Sequence, residues 1–85
     1  MAQQWAAWPM FDNGKRTVFA LKIGEIRRNG DAADIVPADP SFLPFPVSAR
    51  FVESQKPVAG GFITAKDGRQ KFVPAEKFVA DYSPV

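Results

Sequence analysis

The chain has no cysteine and no histidine among its 85 residues. Those two absences exclude thiol nucleophiles, disulfides, His-based triads, imidazole acid–base chemistry and nearly every zinc or transition-metal site. Carboxylates alone can perform acid–base work, but the nine present are scattered over turn-like and surface-like positions. The composition therefore predicts a protein that binds and does not catalyse, with no cofactor and no metal. Long apolar runs are also missing. The longest, Trp5 to Phe11, is far shorter than the roughly 20 residues that span a bilayer. It lacks the basic flank and small-residue cleavage site of a secretory signal, and a cysteine-free chain suits the cytoplasm. A cytoplasmic protein without membrane attachment is the expectation.

Charge is low as well, at a net +2, but it is unevenly spread. Residues 15–28 carry Lys15, Arg16, Lys22, Arg27 and Arg28 against Glu25; residues 31–53 are acidic, and residues 56–77 are basic again. Nucleic-acid binders show a denser basic stripe, and the eight Phe here do not interleave with the cations as on a base-stacking sheet. Nucleic acid is not the expected partner. A chain of this length forms one domain, residues 1–85, and buries about 60 to 65% of its unfolded surface. It has no room for a large interior, so any site must be a surface groove or a subunit interface.

The clearest local signal lies in the last third. Asp67-Gly68 separates two apolar-containing runs, and a two-residue type I′ turn needs positive φ at both central positions, which Gly68 supplies. That loop sets Lys66 opposite Arg69, Ala65 opposite Gln70, Thr64 opposite Lys71 and Ile63 opposite Phe72. Ile63, Ala65 and Phe72 then share one face, and Thr64, Lys66, Arg69 and Lys71 share the other. A three-residue loop would pair Ile63 with Lys71 and mix apolar with charged groups. Three cations on one small face repel one another mildly. Such a face is either ordinary solvated surface or an anion-facing patch. After the hairpin, Pro74 suits the first position of a helix over 74–81, Glu76 favours its dipole, and Phe78 and Tyr82 fall on one side as core anchors.

Toward the start, residues 1–11 read as an arm carrying Trp5 and Trp8, which either cap the core or dock on a neighbouring subunit. Asp12-Asn13-Gly14 is a turn into a strand over 16–27, with Phe19, Leu21 and Ile23 on one face. Gly24 marks a bulge, because Ile26 falls on the opposite parity. Asn29-Gly30 reads as a second two-residue turn that sets Arg28 opposite Asp31, with a weak return strand over 33–36. Residues 37–46 contain Pro37, Pro40, Pro44 and Pro46 and read as a connecting loop. Its Phe42, Leu43 and Phe45 are either tucked over the core or offered to a partner. Over 47–56 both strand and helix fit, and Ser48 as N-cap with Pro57 as stop favours helix. The fold class expected is α+β, a small antiparallel sheet with one or two short helices on one face. Phe19, Leu21, Ile23, Phe51, Ile63, Phe72, Phe78 and Tyr82 form the expected core.

From Val47 onward the order Val-Ser-x-x-Phe, Lys56-Pro57, Gly60-Gly61-Phe62, Asp67-Gly68, Phe72-x-Pro74-x-Glu76-x-Phe78 and Tyr82 resembles a loose group of small phage and prophage proteins of unassigned function. Val73 replaces the small polar residue usual before the proline. The strand, Asp-Gly, strand, Pro, helix and aromatic ending is also faintly similar to phage sponge proteins that sequester cyclic nucleotide signals of Thoeris defence. The Trp-Asn-Gly element of those sponges is absent, so no ligand residues carry over. The resemblance implies a phage protein in a bacterial host that acts by binding, in counter-defence or host takeover, on a nucleotide-like signal or a host protein. The alternative is a structural or accessory virion protein acting by self-assembly. For an anionic ligand or partner the available groups are Trp5, Trp8, Arg27, Arg28, Lys66, Arg69 and Lys71. Phe42, Leu43 and Phe45, together with the Trp pair, are more apolar surface than so small a chain readily hides, and point to a homo-oligomer.

Overall fold

The computed structural model describes residues 8–85. The chain runs β1 (Met10–Asp12), β2 (Thr17–Asn29), β3 (Ala32–Pro37), β4 (Phe45–Val47), α1 (Ala49–Gln55), β5 (Phe62–Lys66), β6 (Arg69–Val73), α2 (Ala75–Asp81) and β7 (Ser83–Pro84). All strand pairs are antiparallel, in the order β4-β3-β2-β1-β7, with β5 joining β2 and β6 joining β5. This is the expected α+β class.

Strand β2 organises the sheet. Its first half pairs with β1 and β5, and its second half pairs with β3. The register slips by one between Ile23 and Glu25, so Gly24 is the bulge that the parity change required. The slip returns Ile26 to the core side, opposite Ile35. Only glycine fits there: a Cβ on Gly24 would sit 2.9 Å from the Ala38 Cα.

The first half of β2 is buried on both faces. Leu21 and Ile23 join Ile63, Ala65, Ala33, Ile35, Phe45 and Val47 in the main core, with Phe51 and Val52 of α1 packed against it. Val18 and Ala20 point the other way, to the side that carries α2 and Phe78, the largest fully buried side chain. Phe78 stacks on Phe62 at 4.0 Å and meets Phe11 edge-on at 4.9 Å, which ties α2 to β5 and β1. The two helices thus lie on opposite faces of the sheet, not on the one face expected from the sequence, because Phe51 and Val52 of α1 join the main core while Phe78 of α2 stacks on Phe62, which points the other way.

Local signals explain the helix ends. The Phe51 N–H donates to Ser48 Oγ at 3.1 Å, the expected N-cap, and Lys56 turns into the left-handed region before Pro57. In α2, Pro74 is the N-cap, with extended ψ, one position before the first helical place expected of it, and no side chain caps the start. Among the expected core residues, Leu21, Ile23, Ile63 and Phe78 are buried, whereas Phe19, Phe51, Phe72 and Tyr82 are half-buried.

Three further expectations are corrected. The second turn uses Gly30 and Asp31 as its loop, so Asn29 faces Ala32 and Arg28 faces Ala33, and no Arg28–Asp31 pair forms. Gly30 holds φ +64 at the first central position while Asp31 does not, the pattern of a type II′ turn. Arg27 pairs with Glu25 on its own strand instead. The proline-rich loop is shorter than expected, because Phe45-Pro46-Val47 forms edge strand β4, where an outer position tolerates a proline. The described part of the expected arm, residues 8–11, is integrated: Trp8 is 3% exposed against Phe45, and Met10 and Phe11 belong to β1.

Replacing Gly24 by Ala should lower the unfolding free energy by about 1–3 kcal/mol, because the Pro37–Ala38 backbone cannot move aside without breaking the β2–β3 pairing. Urea unfolding would show this as a lower midpoint; an unchanged midpoint would mean that the close approach is not a constraint.

Candidate functional site

The type I′ hairpin forms in the register expected from the sequence, with Asp67 at φ 53 and Gly68 at φ 78. Lys66, Arg69 and Lys71 therefore project together from the face of the sheet that α2 also occupies. Thr64, on the same face, is 7% exposed, and its hydroxyl donates to the Lys71 carbonyl at 3.3 Å. Between this hairpin and α2 lies an open groove of about 880 Å³.

Two further elements line it. The β1–β2 turn is tightly built: Asp12 Oδ1 accepts the Gly14 N–H at 3.0 Å, and Asn13 Oδ1 accepts the N–H groups of Lys15 and Arg16 at 2.8 Å each. It delivers Lys15 and Arg16 to one end of the groove. Helix α2, fixed by the Phe78 stack, contributes Lys77, Asp81 and the adjoining Tyr82. The floor is Val18, Thr64 and Val73. Six cations face two carboxylates, Asp67 and Asp81, an excess larger than the +2 of the whole chain. Among the described residues none of these cations forms a salt bridge; Lys66 Nζ reaches only the Thr17 carbonyl, at 3.5 Å.

Of the binding residues expected from the sequence, the structure brings Lys66, Arg69 and Lys71 together and places Arg27, Arg28 and Trp8 elsewhere. Arg27 and Arg28 stand near the far end of β2, roughly 30 Å along the strand from Val18 at about 3.3 Å per residue. Arg27 is held 3.3 Å from Glu25 with both side chains more than half exposed, a pair worth at most about 1 kcal/mol. Arg28 borders a shallow depression with Asp31, Ala49, Val52 and Glu53. Trp8 is a core residue and offers no platform to a ligand. Trp5 lies outside the described residues. Phe45 is buried and Phe42 packs against the core, because β4 folds the proline-rich segment back onto β3; Leu43 is 72% exposed. Most of the apolar surface that argued for an oligomer is thus accommodated within the chain.

Sequence reasoning missed Lys15, Arg16 and Lys77 as members of the same site. The turn and the Pro-started helix that carry them were legible, but the β2–β5 pairing that sets both beside the hairpin joins segments about 45 residues apart and leaves no local signature.

No protein-family model matches this chain, and no curated protein does. Among solved structures, the fold is similar to the solution structure of the monomeric form of the phage L decoration protein. The two share 28% identity with a TM-score of 0.69 over 91% of this chain and 59% of the other. This chain therefore spans about three-fifths of the length of the protein it matches. The likeness supports the phage kinship implied by the sequence and adds nothing to the similarity with Thoeris sponges.

Replacing Phe78 by Ala should cost about 3–5 kcal/mol, because the ring is 1% exposed and contacts Phe11, Phe62 and Tyr82 at once. Thermal melting followed by near-ultraviolet circular dichroism should show loss of the aromatic signal and of most of the folded population. A variant melting like the parent would show that α2 is not anchored through this ring.

Proposed function

We propose that this chain is an accessory virion protein that attaches to the outer surface of an assembled phage particle and acts by binding. The observation that carries the reading is the structural likeness to a phage decoration protein, at 28% identity over nearly the whole of this chain. The electropositive groove supports it by supplying a contact face on rigid elements. Sequestration of a nucleotide-like signal has less support: a nucleotide site needs an aromatic platform beside its cations, yet Trp8 is buried and the Tyr82 ring is stacked on Phe78 at 4.9 Å.

Assembly by adding strands between copies also has little support. The outer strands β4 and β7 contain Pro46 and Pro84, and the N–H of Phe72 on β6 donates to Gln55 Oε1 of α1 at 3.2 Å. Edges managed in this way resist pairing with another chain. Attachment therefore uses side-chain surface, with the particle lattice providing the order.

Purified chain mixed with capsids of the phage that encodes it should migrate with them through a sucrose gradient and saturate at a fixed number of copies per particle. A chain that stays at the top of the gradient, while native mass spectrometry of material from the host shows a retained nucleotide, would overturn this reading in favour of signal sequestration.

A further inference from the structure

The groove collects cations from the β1–β2 turn, the β5–β6 hairpin and α2, and among the described residues none of them forms a salt bridge. Lys66 stands opposite Arg69, and Lys71 follows Arg69 by two residues on the same face. Like charges placed directly opposite destabilise a hairpin. An arrangement of this kind is offset when an anionic partner lies along it.

We propose that the groove is a docking site for an acidic polypeptide segment bound in extended form, and that it is the face turned toward the particle, the second half of which rests on the decoration reading above. Three features select a polypeptide. First, alternate residues of a strand are about 7 Å apart, so Arg69 and Lys71 match the repeat of carboxylates at every second position of an extended chain. Arg69 can also hold a carboxylate with two parallel hydrogen bonds. Second, the floor is largely uncharged, with half-buried Val73 beside the nearly buried Val18 and Thr64, which suits the intervening side chains of a peptide. Third, single-stranded nucleic acid binds by stacking bases on open rings, and here Tyr82 is stacked on Phe78 and Phe72 is half-buried.

The test uses the full chain and a fluorescein-labelled alternating Glu-Thr peptide of about twelve residues, long enough to span the 38 Å longest extent of the domain. Fluorescence anisotropy should show saturable binding that weakens as salt is raised. The triple variant Lys66→Ser/Arg69→Ser/Lys71→Ser should melt within a few degrees of the parent and bind about tenfold or more weakly. The variant Lys66→Arg/Lys71→Arg, which keeps the charges, should retain binding. Equal affinity of the triple variant, or tighter binding of an oligothymidine of the same length than of the peptide, would overturn the proposal. Gradient sedimentation with capsids separates the two readings. A triple variant that loses the peptide and also the particle supports the whole proposal. One that loses the peptide but still migrates with capsids shows that the particle contact lies elsewhere, which overturns the assignment and leaves decoration standing. If the wild type itself fails to migrate with capsids, the decoration reading fails and the particle assignment falls with it.

Discussion

A single strand, β2, pairs with β1, β3 and β5, and the bulge at Gly24 is what allows it to do so. Without the one-residue slip, Ile26 would point away from the core that Leu21 and Ile23 enter, and either the β3 side or the β5 side would lose its apolar face. Glycine makes the slip compatible with the close passage of the Pro37–Ala38 backbone. The consequence reaches the surface. Because the first half of β2 is flanked by β1 and β5, the β1–β2 turn lies beside the β5–β6 hairpin, and their cations line one groove. The Phe78 stack then fixes α2 as the opposite wall. A binding face is thus assembled from elements whose positions are set by buried contacts, and its charged side chains need contribute nothing to the stability of the fold.

That separation of roles is visible in what the sequence revealed. The β5–β6 hairpin was legible residue by residue, because a type I′ loop fixes register locally and the wrong register would bury Lys71 with Ile63. The bulge was legible from parity, and α1 from its Ser48 cap and the Pro57 stop. The second hairpin misled by one residue. Asn-Gly is a strong type I′ signal, and either register leaves Ala33 and Ile35 on the Ile26 face, but the one adopted puts Gly30 first in the loop and sets Ile26 opposite Ile35 in place of the smaller Ala33. Cross-strand packing outweighed turn preference. Pairings between distant segments were not legible: nothing local in Met10–Asp12 or Ser83–Pro84 marks strands of three and two residues, which exist because β2 offers β1 an edge and β1 offers one to β7.

The same distinction applies to the site. The hairpin cations could be placed on one face from sequence, whereas the sequence left Trp8 and Phe45 open between core and partner, and the structure packs the two rings on one another 5.2 Å apart in the core. Their burial shifts the balance from a nucleotide grip toward an electropositive surface, in keeping with the likeness to a phage decoration protein. An open, side-chain-lined groove on a rigid sheet suits attachment to a repeating surface, where many weak copies act together and each contact can remain salt-sensitive.

Electron cryomicroscopy of particles carrying this chain tests the central claim most directly. The density should show the groove between the β5–β6 hairpin and α2 against the shell, with an acidic segment of the shell protein beside Lys66, Arg69 and Lys71. Density that seats the chain through another face, with the groove open to solvent, would contradict it.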